Sequence, residues 1–252
     1  MSKRTLYFLF TAALIVGVLL LFPDPAMAAP GGRIASAIFR TVPGKILLVV
    51  LTIIFLPLII SVMVQESRAE KSTRKALASL ATQHPEMDWF AVKNRVTEVF
   101  TRVHAAWRKE DMQEASDWMT HWYWQNQQIA HLEQWERDGL INHCRVKSLK
   151  KIRPLYLKYK NEDGTANGTR IVVGIDANME DYLAERVSGK VVQGKPGYDD
   201  VESVWTLVLE NGRWLVENIE DGALTLQYAK IMNELSKATA GSSAANAARR
   251  EA

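Results

Sequence analysis

Histidine and cysteine, the residues that most often bind metals or act as nucleophiles, are few in this chain and poorly spaced for a shared site. The five histidines are at positions 84, 104, 121, 131 and 143, and Cys144 is the only cysteine. His143 and Cys144 are adjacent, so on a strand their side chains point to opposite faces and cannot easily share a metal ion. A lone cysteine excludes an internal disulfide and a Cys-x-x-Cys pair. We therefore expect no metal site and no cofactor.

The chain also lacks the short motifs that bind phosphates or present a nucleophile. It contains no Gly-x-x-x-x-Gly-Lys-Ser/Thr loop, no Gly-x-Ser-x-Gly turn and no Gly-x-Gly-x-x-Gly turn. Its net charge of +3 is divided unevenly, with +4 in residues 1–64 and −1 in residues 65–252. The positive charge therefore lies in the apolar N-terminal part, and we predict no nucleic acid partner.

Four basic residues, Arg68, Lys71, Arg74 and Lys75, form a cluster soon after a long apolar segment. Next to a membrane, each such residue gains about 1 kcal/mol from anionic lipid. We predict that residues 65–85 form a juxtamembrane basic helix and that these four side chains contact anionic lipid. The alternative is that they only set the topology of the chain.

Tryptophan is concentrated in one stretch: five of the eight residues are Trp107, Trp118, Trp122, Trp124 and Trp135. Most of these rings are expected to pack a helix layer onto a sheet. The run from Trp122 to Trp124 spans more than half a helical turn, so at least one of its rings should face outward. Exposed aromatic rings are typical of protein contacts and of the membrane interface. Trp122 or Tyr123 is therefore the predicted partner contact.

Two apolar runs lie before the basic cluster. Residues 5–22 follow Lys3 and Arg4 and precede small residues at 26–29, a layout typical of a secretory signal peptide. Residues 1–28 are predicted to be a signal peptide or, since the apolar run is long, a first membrane helix.

Residues 46–64 contain no charged side chain and are long enough to cross a hydrocarbon core of about 30 Å. We predict a transmembrane helix there, preceded by an external linker at 29–45. Both interpretations of residues 1–28 place residue 65 onward in the cytoplasm, which agrees with the positive-inside rule. The predicted location is the inner (plasma) membrane.

The remaining chain changes from a helical to a β pattern at Gly139. Helices are predicted from Asp88 to residue 108, at 112–119 and at 120–138, with a closing helix at 223–237 and a disordered tail at 238–252. Strands are predicted at 144–151, 155–160, from about 170, at 184–193, and in a hairpin at 201–210 and 213–220 around Asn211-Gly212. Residues 86–237 are therefore predicted to form an α+β domain, a cone-shaped curved antiparallel sheet with helices packed on one face.

Particular residues in this order resemble the C-terminal domain of the mitochondrial inner-membrane translocase subunit 44 family. They are His104-Ala-Ala-Trp107, Lys109-Glu-Asp111, Trp118-Met-Thr120, Val204-Trp-Thr-Leu207 and Gly212-Arg-Trp-Leu-Val216, followed by Ile219-Glu-Asp221. The resemblance covers about residues 86–222. It implies a fold like that of nuclear transport factor 2, tethering of partner proteins at a membrane, and contact with anionic lipid such as cardiolipin. This chain lacks the long charged N-terminal region with which the mitochondrial member engages the import chaperone.

These observations favour a membrane-anchored binding or scaffold module with a membrane protein partner, or a subunit of a larger membrane complex, rather than an enzyme. The alternative is a small-molecule-binding or catalytic domain with its ligand in the cavity between sheet and helices, as in ketosteroid isomerase. Asp176, His104 and Tyr182 are the residue types that such a site would use, although nothing in the sequence brings a base within reach of a substrate.

Overall fold

The computed structural model describes residues 41–162 and 164–235. The chain divides into two compact units, Met1–Val64 and Gln65–Ala252. The predicted signal segment at 1–28, most of the predicted linker at 29–45 and the predicted tail at 238–252 lie outside the described residues. The α-helices are α1 (Val42–Leu80), α2 (Trp89–Lys109), α3 (His121–Gln127), α4 (Glu133–Arg137) and α5 (Thr225–Lys230).

The five strands form one antiparallel sheet. They are β1 (Leu140–Lys158), β2 (Arg170–Glu185), β3 (Val191–Gly194), β4 (Asp199–Glu210) and β5 (Arg213–Asp221). The strand order is β1-β2-β4-β5, and the short β3 pairs with the end of β2. The register shifts three times along the β1–β2 pair, and such irregularities bend a sheet. The predicted α+β class with a curved antiparallel sheet is confirmed.

The predicted membrane segment, residues 46–64, lies within α1. In the part of the chain that the structure describes, no helix is long and apolar enough to cross a membrane. The side chains at 47–49 and 52 lie outside the described residues, and the membrane helix stays a prediction. Pro57 lies inside α1.

Helix α2 is capped at both ends, by Asp88 before its first residue and by Glu110 after its last. The Asp88 carboxylate accepts hydrogen bonds from the backbone N–H groups of Phe90 (2.9 Å) and Ala91 (3.2 Å), which satisfies two donors of the first turn. Glu110 ends the helix in the left-handed conformation with φ +59°. The buried stripe includes Val92 and Val96.

The third predicted helix, 120–138, is interrupted. A π-helical turn, Gln128–Leu132, separates α3 from α4, and Gly139 with φ +69° follows α4 as expected for a C-terminal glycine. The short segment before α3 is a 3-10 helix, Met112–Trp118, where a helix was predicted at 112–119.

Two of the predicted strand boundaries differ from those in the structure. The predicted segments 144–151 and 155–160 form one strand, β1, whose register shifts beside Pro154. The predicted strand 184–193 is wrong, because a turn closed by the Glu185 N–H to Lys190 C=O hydrogen bond (2.9 Å) separates β2 from β3. The β4–β5 hairpin is confirmed: Asn211 and Gly212 have φ +49° and +74°, the two positive angles that a type I′ turn requires.

The two sides of the sheet are covered differently. Alternate residues of β2, such as Ile171 and Val173, face a large core that also contains Leu77 and Leu80 of α1. On the opposite side, Val172 belongs to a smaller cluster against which Tyr228 of α5 packs. The prediction of helices on one face therefore omitted the C-terminal segment.

The closing helix is shorter than the predicted 223–237. Helix α5 ends at Lys230, and the chain then runs along the free edge of β1, where Glu234 exchanges backbone hydrogen bonds with Leu157 (2.9 Å) and Tyr159 (2.7 Å). The Asn233 side chain accepts from the Leu157 N–H (2.8 Å) and from the Thr73 hydroxyl of α1 (3.1 Å). Pairing with the sheet edge thus replaces the last helical turns.

One buried arginine links three of these elements. Arg153 of β1 is only 8% exposed. Its guanidinium group forms ion pairs with Glu66 of α1, Asp176 of β2 (3.0 Å) and Glu202 of β4. The Thr225 hydroxyl, at the start of α5, donates to the same Glu202 carboxylate (2.9 Å).

We expect Arg153→Met to lower the free energy of unfolding by about 3–5 kcal/mol, because it leaves three carboxylates close together without their cation. Lys151→Met is the matched control, since Lys151 is exposed on the same strand and makes no ion pair among the described residues. Thermal unfolding followed by circular dichroism measures both. Equal melting temperatures for the two variants would contradict the prediction.

Candidate functional site

The four predicted lipid-contact residues lie on the solvent side of α1. Arg68, Lys71, Arg74 and Lys75 are all exposed, whereas Ala69, Thr73, Ala76, Leu77 and Leu80 of the same helix are buried. Arg74 pairs with Glu70 (2.8 Å) and lies over the Trp89 ring at 4.9 Å from its centroid. The other three make no ion pair within the described residues. They form a basic stripe (Arg68, Lys71 and Lys75) whose contact with lipid stays a prediction.

The two predicted partner-contact residues differ in exposure. Trp122 is 68% exposed, whereas Tyr123 is buried at 4% exposure. The Tyr123 hydroxyl hydrogen-bonds with the backbone of Ile219, and burial raises the pKa of this phenol to about 12. Tyr123 therefore packs α3 against the sheet, and Trp122 is the exposed residue of the two, whose contact with a partner stays a prediction. Ile129, two turns further along, is also exposed at 57%.

The three residues considered for catalysis do not converge. Asp176 is bound to Arg153 on the face of the sheet that the smaller cluster and α5 cover. The Tyr182 ring stacks on His143 at 4.5 Å. His104 lies in the helix-facing core, between Phe100 (ring centroids 4.1 Å apart) and Trp205 (5.7 Å).

Burial shifts the pKa values of two candidate chemical groups, His104 and Cys144. His104 Nδ1 hydrogen-bonds with the Phe100 carbonyl oxygen (2.7 Å), and burial lowers the pKa of its ring to about 4, so the ring is neutral at physiological pH. Burial raises the pKa of the Cys144 thiol to about 12, so this cysteine is not a nucleophile at neutral pH. Within residues 41–162 and 164–235, no three His, Cys, Asp or Glu side chains are placed to hold a metal ion.

A cavity of about 230 Å³ opens where the helix layer meets the end of the β1–β2–β3 sheet. Its lining consists of Trp107, Trp135, Asn142, Asp181, Tyr182, Leu183, Gln193 and Gly194. Asn142 and Asp181 lie on the helix-facing side of the sheet, because Asp181 is opposite the core residue Cys144 and Asn142 is two positions before it. The cavity therefore continues the space between sheet and helices that core side chains fill elsewhere, and here this space opens to solvent.

Two polar atoms at this cavity are buried without a hydrogen-bond partner: the Oδ1 atom of Asn142 and the Nε1 atom of Trp107. Burial raises the pKa of the Asp181 carboxyl, and a hydrogen bond from the Asn142 side chain partly offsets this. Buried polar atoms in native proteins are normally paired with protein or water. Their presence marks this cavity as the candidate binding site of the domain.

Sequence reasoning missed these residues, although one signal for Asp181 was available. Alternate residues of β2 from Ile171 to Met179 belong to the core, and Asp181 is the next position of that series. A period of two therefore places an acidic side chain on the helix-facing side of the sheet, at its exposed end. Asn142 lies four residues after the predicted end of a helix and gave no comparable signal.

The fold and this open-ended core define an α+β domain in which a curved sheet and a helix layer enclose a cavity. Residues 73–220 match the Tim44-like domain family, and since the match spans more than half of the chain, the chain belongs to this family. The resemblance found in the sequence is thereby confirmed. The solved structures include a similar one, the crystal structure of the intermembrane space region of the chloroplast protein ARC6. It aligns with a TM-score of 0.39 and 10% identity, covering 53% of this chain and 95% of that chain. Among curated proteins, none matches this sequence.

We expect stability to fall as the pH decreases from about 6.5 to about 4. Between these values the unfolded chain protonates His104 and the folded chain does not, which favours unfolding. The loss amounts to about 3 kcal/mol at most, at about 1.4 kcal/mol for each unit of pKa shift. His104→Phe should remove this part of the pH dependence and the exposed-site control His121→Phe should not, as measured by thermal unfolding at a series of pH values. Identical pH profiles for the two variants would contradict the prediction, because they would show that His104 binds protons equally in the folded and the unfolded chain.

Proposed function

We propose that this protein is a membrane-anchored protein-interaction module, held at the inner membrane by residues 46–64, with its Tim44-like domain in the cytoplasm. The observation that carries the proposal is the exposure of large apolar side chains along the first half of α1. These are Ile46, Val50, Ile53, Ile54, Phe55, Leu58, Ile59, Ile60, Met63 and Val64, each at least 40% exposed.

Lipid is the environment that suits this surface best. A helix that presents apolar side chains on all its faces is normally buried in a large core or in a membrane. A contiguous apolar surface of this extent is rare on soluble monomers. Family membership supports the same assignment, since the resemblance described above implies work at a membrane.

The basic stripe supports a position of the domain close to the lipid surface. Arg68, Lys71 and Lys75 follow the apolar segment within one to three helical turns and face solvent on one side of α1. Basic side chains next to a membrane are attracted to anionic head groups. We propose that anionic lipid contacts this stripe.

The proposed partner surface is formed by Trp122 and Ile129. Tryptophan is enriched at the energetic centres of protein interfaces, and an exposed ring with a second apolar side chain two turns away is a suitable anchor. The π-helical turn at Gln128–Leu132 lies within this surface, and π-helical turns occur frequently at functional sites. The proposed partner is a membrane protein.

Fusions on the two sides of residues 46–64 test the anchoring. Alkaline phosphatase fused after residue 252 should be inactive, because the enzyme folds only outside the cytoplasm, and green fluorescent protein at the same site should fluoresce. Phosphatase fused after residue 42 is the control and should be active. Strong phosphatase activity of the C-terminal fusion would place the domain outside and overturn the proposal.

A photo-crosslinking amino acid at position 122 tests the partner surface. We expect illumination of intact cells to give a discrete adduct larger than the 28.4 kDa chain, because a partner ring or side chain would cover Trp122. The same amino acid at position 187 is the control, since Val187 is 99% exposed and lies in the β2–β3 turn. Identical adducts at both positions, or none at position 122, would contradict the assignment.

A further inference from the structure

The cavity between the helix layer and the β1–β2–β3 sheet contains acceptors and a negative charge without a matching cation. Asp181 makes no ion pair with any residue in the described parts of the chain. The Asn142 side chain is only 7% exposed, and its Oδ1 atom has no hydrogen-bond partner. The exposed Asp181 carboxylate, which accepts a hydrogen bond from the Asn142 side chain, and the unpaired Asn142 oxygen lie on one wall and together are the complement of a positively charged donor.

Two indole rings form the opposite wall. Trp107 of α2 and Trp135 of α4 have ring centroids 5.9 Å apart and ring planes at 72° to each other. The His131 ring packs against both, with its centroid 6.3 Å from that of Trp107 and 5.6 Å from that of Trp135. These contacts fix the positions of the two indole rings. Cations bind favourably over the faces of tryptophan rings, and alkyl groups pack against them equally well.

Other classes of occupant fit this wall chemistry less well. An apolar ligand would displace water from the exposed Asp181 carboxylate and leave the Asn142 oxygen without a partner, which is costly. An anion would be repelled by Asp181. A metal ion would need at least three suitable ligands, which the described residues do not bring together. Water could pair with the Asn142 oxygen, but it would leave the carboxylate without a counter-charge.

We propose that this cavity binds a protonated amine, with the ammonium group between Asp181 and Asn142 and the alkyl part against Trp107 and Trp135. The volume of about 230 Å³ is below the ~300–1,000 Å³ of pockets for drug-sized ligands. It therefore fits a small alkylamine or a single lysine side chain. The ammonium chemistry is common to both sources, and the proposal does not depend on the proposed membrane anchoring.

Isothermal titration of the full-length protein in detergent tests the proposal. The probe is n-butylammonium chloride, and its neutral counterpart is 1-butanol. We expect the amine to bind and the alcohol to give no measurable heat. Nα-acetyl-lysine methylamide is the third ligand. If it binds as well as butylammonium, the ammonium group can come from a lysine side chain of a partner protein. If only butylammonium binds, the site is assigned to a free amine.

Two substitutions assign the binding to this cavity. Asp181→Asn keeps the shape of the side chain and removes its charge, and it should weaken amine binding about tenfold or more. The matched control is Glu180→Gln, the neighbouring acid on the same strand, whose side chain accepts from the Gly197 N–H (2.9 Å) and faces the other side of the sheet. This control should bind as the wild type does.

Trp135→Leu removes one wall and should weaken binding about threefold or more. Because it leaves both acceptors in place, it keeps the proposal testable if Asp181→Asn fails to fold, which circular dichroism would reveal. The proposal is overturned if butylammonium does not bind, if butanol binds equally well, or if a folded Asp181→Asn or Trp135→Leu variant binds the amine with wild-type affinity.

Discussion

The buried guanidinium group of Arg153 is the interaction on which the assembly of this domain depends. Arginine cannot lose its charge at any physiological pH, so a fold that buries it must supply carboxylates around it. Here they come from three elements that are far apart in sequence: Glu66 of α1, Asp176 of β2 and Glu202 of β4. Gly174 lies opposite Arg153 in the β1–β2 register, where a methyl group would be in ordinary van der Waals contact, 3.8 Å from the guanidinium and 3.4 Å from Leu155.

This arrangement explains why the second half of α1 belongs to the domain and is more than a spacer after the apolar segment. The Glu66 ion pair fixes the start of this half, and the burial of Leu77 and Leu80 in the common core fixes its end. Between them, Thr73 bonds to Asn233, which also binds the β1 edge. The helix is thus held at three points about one to three turns apart, and the basic residues are among those left facing solvent. Placement of the basic stripe is therefore a consequence of core packing.

The elements that depend on caps and turns could be predicted from the sequence. The elements that depend on contacts between residues far apart in sequence could not. The Asp88 cap and the Asn211-Gly212 turn are decided by backbone conformations that few other residues adopt, so their elements were located correctly. The closing helix was overextended because local propensity cannot show that Glu234 pairs with the β1 edge, 76 positions from Lys158. The exposure of the candidate site residues also depends on contacts between distant parts of the chain. Trp122 and Tyr123 are indistinguishable by composition, and the register of α3 against β5 decides which ring is buried.

At the cavity, the packing of helices on the sheet leaves space that apolar side chains do not fill. Helices α2 and α4 reach the end of the sheet with two tryptophan rings, but the facing strand positions carry Asn142 and Asp181 where the core elsewhere has Ile, Val and Met. An apolar side chain at position 142 would extend the core and remove a buried oxygen without a partner, a change of the kind that usually stabilises a protein. In the proposed complex, the ammonium group would donate a hydrogen bond to the unpaired Asn142 oxygen and supply the counter-charge that the Asp181 carboxylate lacks among the described residues. The departure from an apolar core at these positions is what binding requires, whereas the Arg153 cluster on the other face is already satisfied within the chain.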